Sequence, residues 1–261
     1  MPASLPSLTR LLKPVALALV VAAAAVLPVR AEMSAAQKTE IEKVIKDYLI
    51  KNPEVLRDAL VELDRRSKAE EEATRAKAVS DLSPKIFNSK HQIVLGNPEG
   101  KVQLVEFFDY NCGYCRRAMA DLDRLMKKNP DLRVVLKEFP VLGPPSKEAA
   151  IVASALHMQF DGKKYWDFHR RLMATRGRIG KAQALAAARA AGADMERLTK
   201  DMQSKEILDG LGEVTAIADA LNMTGTPSYV VGPDVVVGAV GFDKLQERID
   251  NIRKCGKAKC G

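Results

Sequence analysis

The sequence predicts an α/β domain in which two parallel strands flank a helix that begins at a pair of cysteines. Three observations predict it. Residues 102–108 are an apolar run rich in β-branched and aromatic side chains, which reads as a buried strand. Just beyond it, Ala118, Met119, Leu122, Leu125 and Met126 recur at three- and four-residue steps, the spacing of an amphipathic helix. A second apolar run, 132–139, follows the turn Asn129-Pro130-Asp131. Strand, helix and strand joined by short links imply a parallel pair with a right-handed crossover.

The chain has 261 residues, enough for one sizeable domain plus appendages, and nearly half are apolar, so a core can form. At the N-terminus, Arg10 and Lys13 precede an apolar run over 15–27, and Val29-Arg30-Ala31 follows. This is the pattern of a secretory signal over residues 1–31, with cleavage expected after Ala31. The run is short for a permanent membrane span, and a retained anchor is the alternative. The mature chain would then occupy an oxidising compartment, the periplasm for a bacterial signal, where its cysteines can pair. The formal charge is +8 and falls to +5 without the three basic residues of 1–31. No basic stripe interleaved with aromatics is present, so nucleic acid is not an expected partner.

Residues 32–63 are helical in pattern. Ile41, Val44, Ile45, Tyr48 and Leu49 form an apolar stripe, Asn52-Pro53 interrupts it, and Val55, Leu56, Ala59, Leu60 and Leu63 resume it. Such a stripe must be covered. Residues 64–83 are charged and alanine-rich and read as a linker, helical or extended, with too little apolar surface to dock on a core. The stripe is therefore expected to pack against copies of itself as an oligomerisation segment. Folding back onto its own domain is the alternative. The pattern does not distinguish dimer from trimer.

The main domain is expected over 84–254. A short strand near 92–95 and a turn at 96–100 precede the strand leading to the cysteines. A helical insertion follows over about 141–222, with Ser146 as the N-cap of its first helix and Asp194 capping a later one. Tyr165, Trp166 and Phe168 read as core. His169 reads as a surface or hydrogen-bonded side chain rather than a metal ligand. Gly225-Thr226-Pro227-Ser228 then leads into a hairpin of strands at 229–231 and 235–240, with Pro227 tolerated at a strand's start. A helix over 242–252 ends the domain, and the tail 255–261 carries Cys255 and Cys260.

Cys112-Gly113-Tyr114-Cys115 falls where a strand ends and a helix begins. A helix's first turn offers unpaired N–H groups and the positive end of the dipole. A thiolate there is stabilised, and its pKa can fall from about 8.5 into the range of about 3.5–7.5. Cys112 is expected to be the exposed nucleophile, and Cys115, one turn inside, the sulfur that resolves a mixed disulfide. A C-x-x-C pair alone also fits half a zinc site or a structural disulfide. Zinc would need a second ligand pair, whereas His91, His157 and His169 are scattered and the other cysteines stand as C-x4-C at the C-terminus. The redox reading is therefore preferred, with no cofactor or metal expected. Val102, Leu104 and Glu106 share one strand face, so a buried face puts Glu106 inside, where its raised pKa would let it exchange a proton with Cys115. Cys255 and Cys260 read as a local disulfide, with a second redox relay or a metal clip as alternatives.

These elements in this order resemble the thioredoxin fold with a helical insertion found in the DsbA family of disulfide oxidoreductases. The resemblance covers about residues 84–254. Glu106 lies six residues before Cys112, the place of the family's buried acid. Thr226-Pro227 fits the residue pair whose proline is cis and faces the redox pair in that family. With its helical stalk and linker, the chain is most similar to the ScsC (suppressor of copper sensitivity) branch, whose relatives include trimeric disulfide isomerases. The resemblance implies a periplasmic thiol-disulfide oxidoreductase, mainly an isomerase or reductase, that assembles as a homotrimer through residues 34–63. It implies misfolded or wrongly disulfide-bonded secreted clients and a membrane reductant of the DsbD or ScsB type. Gly113, Tyr114, Thr226 and Pro227 would contact the client. Gly113-Tyr114 differs from the Pro-His of the oxidase DsbA and matches the dipeptide of the isomerase DsbC. Tyr114 is uncharged at neutral pH and cannot hold a thiolate as a histidine does, which implies a less oxidising couple. The alternatives are a DsbA-like dithiol oxidase and a copper-tolerance protein holding Cu(I) on Cys112 and Cys115.

Overall fold

Ser34 opens the first helix in the computed structural model, which describes residues 33–257 and Cys260; the expected signal at 1–31 lies outside the described residues. The Ser34 hydroxyl accepts from the Gln37 N–H at 3.2 Å, and the Gln37 side chain accepts from the Ser34 N–H at 2.9 Å. This reciprocal cap starts α1 (Ala35–Lys51). The chain turns at Asn52, and Pro53 occupies the first position of α2 (Pro53–Asp81), where its missing N–H leaves no bond unmade. Among the described residues no helix is long and apolar enough to cross a membrane.

The chain forms two compact units, one ending at Leu63 and the other starting at Asp64. In the first unit the apolar stripe is exposed, including Ile41, Val44, Ile45, Tyr48, Leu56 and Leu60. In the second, the charged stretch read as a linker is helical to Asp81, and its end is docked. Val79 is only 3 % exposed, with Ala78 and Leu82 packed beside it. Arg75 donates to the Asn222 carbonyl at 3.0 Å, and Asn222 donates back to Glu71 at 3.1 Å. One valine and two polar latches thus do what the apolar content of this stretch did not promise.

After α3 (Ser83–Asn88), five strands form one sheet in the order β1-β3-β2-β4-β5. They are β1 (Ile93–Gly96), β2 (Val102–Phe108), β3 (Leu132–Glu138), β4 (Ser228–Val231) and β5 (Asp234–Val237). β2 and β3 run parallel, and the other pairings are antiparallel. Between them α4 (Gly113–Lys128) makes the crossover. Leu104, Phe108, Leu136 and Tyr229 lie in one core cluster with Leu122 and Leu125 of α4. Val105, Phe107, Val135 and Val230 lie in a second, with Ile86 and Val79. Both sheet faces are covered, which explains why β2 reads as a continuous apolar run rather than an alternating one.

The insertion comprises α5 (Pro144–His157), α6 (Gly162–Met173), α7 (Lys181–Ala190), α8 (Met195–Asp201) and α9 (Lys205–Ala220). Ser146 is not the cap of α5. Pro144 and Pro145 fill the first helical positions after Gly143, which moves the cap three residues earlier and frees the Ser146 hydroxyl for another partner. Asp194 does cap α8, accepting from the Glu196 and Arg197 N–H groups at 3.0 Å. Tyr165 and Phe168 are fully buried and Trp166 partly so. His169 is buried rather than on the surface, with Nδ1 3.2 Å from the Tyr110 hydroxyl, and burial lowers its pKa to about 3. β5 ends at Val237, short of the expected 240: the Gly238 N–H still reaches the Pro227 carbonyl at 2.8 Å, but Pro227 has no N–H to return and the ladder stops. The last helix, α10 (Phe242–Cys255), runs to Gly256, whose φ of +70° stops it. Cys255 and Cys260 are joined in a disulfide.

Candidate active site

β2 carries the chain to Asp109, and a tight turn there sends it into α4. The Cys112 N–H donates to the Asp109 carbonyl at 3.0 Å, and Cys112 is the N-cap residue of α4. Its Sγ accepts from the Cys115 N–H at 3.4 Å and lies 3.1 Å from the Thr226 carbonyl oxygen. The peptide bond from Thr226 to Pro227 is cis. The structure thus brings Cys112, Cys115 and Thr226-Pro227 together from places more than a hundred residues apart.

Cys112 is less open than expected. It is 6 % exposed and Cys115 1 %. The loop before β4 lies against the sulfur, and the neighbouring Gly113 and Tyr114 are exposed. Tyr114 is 59 % exposed, and the Arg117 guanidinium sits 4.4 Å over its ring.

The two sulfurs ionise far apart. The Cys112 thiol is lowered to about 5, first by a hydrogen bond from the Cys115 side chain, with the Thr226 side chain and the N–H groups of Cys115 and Tyr114 adding to it. Burial opposes this shift and loses. Cys115 is pushed well above the ordinary thiol value by burial, by its bond to Cys112 and by the nearby charge of Glu106. Near neutral pH the pair therefore holds one thiolate, on Cys112, and one thiol donating to it.

Glu106 is buried, as its strand register implied. It faces Tyr229 across the β2–β4 pairing, and the Tyr229 hydroxyl donates to it at 3.4 Å. Burial pushes its pKa up, the Tyr229 hydroxyl pulls it back and the Cys112 charge adds to the rise, which together bring it to about 8. It is a buried acid that titrates near neutrality next to the redox pair.

Two polar groups at the site were not read from the sequence. The Asp109 carboxylate accepts from the Asn111 N–H at 2.8 Å, the Ser146 hydroxyl at 2.7 Å and the Leu142 N–H at 2.9 Å. The Asn111 side chain donates to the Ile179 carbonyl and accepts from the Ile179 N–H, both at 2.8 Å. Together they tie the turn before Cys112 to the insertion. Their place directly before the cysteines was the available signal, but their partners lie 33 to 68 residues away with no spacing rule to find them. A second buried carboxyl, Glu138, accepts from the Tyr165 and Tyr110 hydroxyls at 3.0 and 3.3 Å, and burial raises its pKa well above the carboxylate range. Among the described residues no group of three or more His, Cys, Asp or Glu is placed to hold a metal ion.

Residues 103–250 match the DSBA-like thioredoxin domain family, and residues 37–70 match the copper resistance protein ScsC N-terminal domain. Among solved structures, a thioredoxin-like oxidoreductase from Silicibacter pomeroyi DSS-3 is 42 % identical, with a TM-score of 0.63 over 66 % of this chain and 98 % of its own. A linker-deletion variant of Proteus mirabilis ScsC is 26 % identical, with a TM-score of 0.64 over 86 % of this chain and 99 % of its own. A curated relative, the Na(+)/H(+) antiporter NhaA 1 of Salinispora arenicola, is 26 % identical over 68 % of this chain, which spans only 28 % of that protein's length. With its ionised Cys112, its protonated Cys115 and a match covering more than half of its length, the chain belongs to the DSBA-like thioredoxin domain family and is of the ScsC type.

Proposed function

We propose that this protein is a thiol-disulfide oxidoreductase that acts mainly as a periplasmic protein disulfide isomerase and reductase. The observation that carries the proposal is the Cys112 thiolate at the head of α4, above a buried Glu106 that titrates near neutrality, with an uncharged Tyr114 as the exposed edge. The Cys112 thiolate attacks one sulfur of a client disulfide. The client S–S bond breaks, a Cys112–client disulfide forms, and the other client sulfur leaves as a thiolate. In isomerisation a client thiolate then attacks the client sulfur of that bond, a new client disulfide forms, and Cys112 leaves as a thiolate with no net electron transfer. In reduction Cys115 attacks Cys112 instead, the client leaves as a thiolate, and two electrons have passed to it. A membrane reductant of the DsbD or ScsB type would return them.

Glu106 fits the second route. Part of its raised pKa comes from the Cys112 charge. Once Cys112 is bonded to a client that charge is gone, Glu106 ionises more readily, and it can take the proton that Cys115 must lose. Gly113, Tyr114, Thr226 and Pro227 border the sulfur and would seat an extended client strand, with the Thr226 backbone as its hydrogen-bonding edge. The exposed stripe of residues 34–63 supports self-assembly, and the resemblance to ScsC points to a homotrimer, which would hold several redox faces around one client.

A dithiol oxidase is the second reading. It is favoured by the Cys112 pKa of about 5, because stabilising the reduced form makes the disulfide more oxidising. Parallel assays separate the two. Reactivation of scrambled ribonuclease should outpace oxidation of reduced ribonuclease, and the pair should be found reduced in cells. A pair held oxidised in cells, with the faster activity on reduced ribonuclease, would reverse the assignment.

A further inference from the structure

We propose that the client-binding face selects segments that carry acidic side chains next to the reacting cysteine. The inference deepens the reading above and rests on it. Beside the redox pair, between α4 and α6, lies a groove of about 640 Å³ lined by Arg116, Met119, Asp123, Asp167, Arg170 and Arg171, among others. It starts one residue beyond Cys115, and the Arg116 N–H donates to the Cys112 carbonyl at 3.1 Å. Both carboxylates in the groove already have a cation. Asp123 holds Lys127 at 2.6 Å, and Asp167 lies 3.9 Å from Arg170. The guanidiniums are less well served. Among the described residues Arg171 has no carboxylate within 4 Å, and the buried Nε of Arg116 has no hydrogen-bond partner. A buried donor without a partner is costly, and a carboxylate is the acceptor that suits a guanidinium best.

The same sign of charge recurs on the loop that follows α6. Asn111, directly before Cys112, holds Ile179, and the loop ending there exposes Arg176 and Arg178, neither with a carboxylate within 4 Å among the described residues. Cationic groups therefore stand both in the groove beyond Cys115 and on the loop tied to the residue before Cys112. The Cys112 thiolate itself repels an acidic client, and acidic neighbours also make a client sulfur a poorer electrophile. Faster exchange with acidic segments can thus come only from cations lining the approach.

The test uses the full mature chain in its reduced state and three short synthetic peptides. Each holds one cysteine as a mixed disulfide with thionitrobenzoate, flanked by two Glu, two Gln or two Lys. Release of thionitrobenzoate reports the second-order rate. At low ionic strength the Glu peptide should react about tenfold or more faster than the Lys peptide, and the advantage should shrink as salt is raised. Arg171→Glu should cut the ratio at least about threefold, and adding Arg170→Glu should cut it further. Equal rates for the three peptides, a faster Lys peptide, or a ratio that survives both substitutions overturns the inference while leaving thiol-disulfide exchange at Cys112 standing. Failure to release thionitrobenzoate from any peptide overturns the exchange reading, and the inference with it.

Discussion

At the scale of single residues, the Cys112 thiolate depends most on its own partner. The largest influence lowering it is the hydrogen bond from the Cys115 side chain, ahead of the backbone N–H groups of α4. Removing that donor should therefore raise the Cys112 pKa more than moderate changes to the helix would. Cys115→Ala should shift the thiolate absorbance titration upward by about one unit or more, and Cys115→Ser, which keeps a donor, by less. Equal shifts in the two variants would mean that the backbone dominates. Glu106 acts with the opposite sign. Its folded pKa of about 8 lies above the ordinary 4.5, so the stability linked to it is fully present below about 4.5 and is lost as pH rises through about 8. Glu106→Gln should flatten that slope and stabilise the protein at pH 8 by on the order of a few kcal/mol in denaturant melts. The same variant should slow resolution of the mixed disulfide by about tenfold or more while alkylation of Cys112 keeps its rate. A variant no more stable at high pH than the parent would place Glu106 in contact with water.

At the scale of elements, the end of α2 is held by very little. Val79 is its buried side chain, and the Arg75 and Glu71 latches to Asn222 lie at the surface. Val79→Ala should cost about 1–3 kcal/mol, and Val79→Asp more, because a carboxylate would be driven into the cluster of Val105, Phe107 and Val135. Proteolysis within residues 64–82 should quicken in step; an Asp variant as resistant as the parent would show that the dock does not matter. This element also marks the limit of what could be read from the chain. β2, α4 and β3 announce themselves because each repeats a pattern over seven or more residues. Their junction at Cys112 followed from that, as did the inward register of Glu106. A helix docked by one valine among charges has no such repeat, and neither does the link from Asp109 to Ser146 and from Asn111 to Ile179. The Pro-Pro start of α5 was legible in principle, since two prolines fit a helix's first turn better than a serine two residues on. The closeness of Thr226 to the sulfur was visible only through the family resemblance.

For the whole molecule, the decisive feature is an apolar surface that one chain leaves uncovered. Within α1 and the start of α2, Ile41, Val44, Ile45, Tyr48, Leu56, Leu60 and Leu63 are all exposed, and no residue of α1 is buried. A helix of this kind has little reason to persist alone in water, since most helical stability in proteins comes from packing an apolar face. Packing against identical stripes is the arrangement that covers it without calling on any other surface. The catalytic consequence is separable from the structural one. The residues that lower the Cys112 pKa all lie in the second unit, so one unit suffices for thiolate chemistry. Isomerisation asks for more, because a client must stay bound while its own thiols search for a new pairing. Several linked faces can supply that retention through effective concentration, a gain of about a hundredfold or more where geometry allows simultaneous contact. Removing residues 32–63 should accordingly give a monomer by sedimentation whose Cys112 titrates as before. Its reactivation of scrambled ribonuclease should fall by about tenfold or more, while its reduction of a small disulfide is retained. A mature protein that sediments as a monomer with residues 32–63 in place would break this chain of argument at its first step, and a truncated protein that still isomerises at full rate would break it at its last.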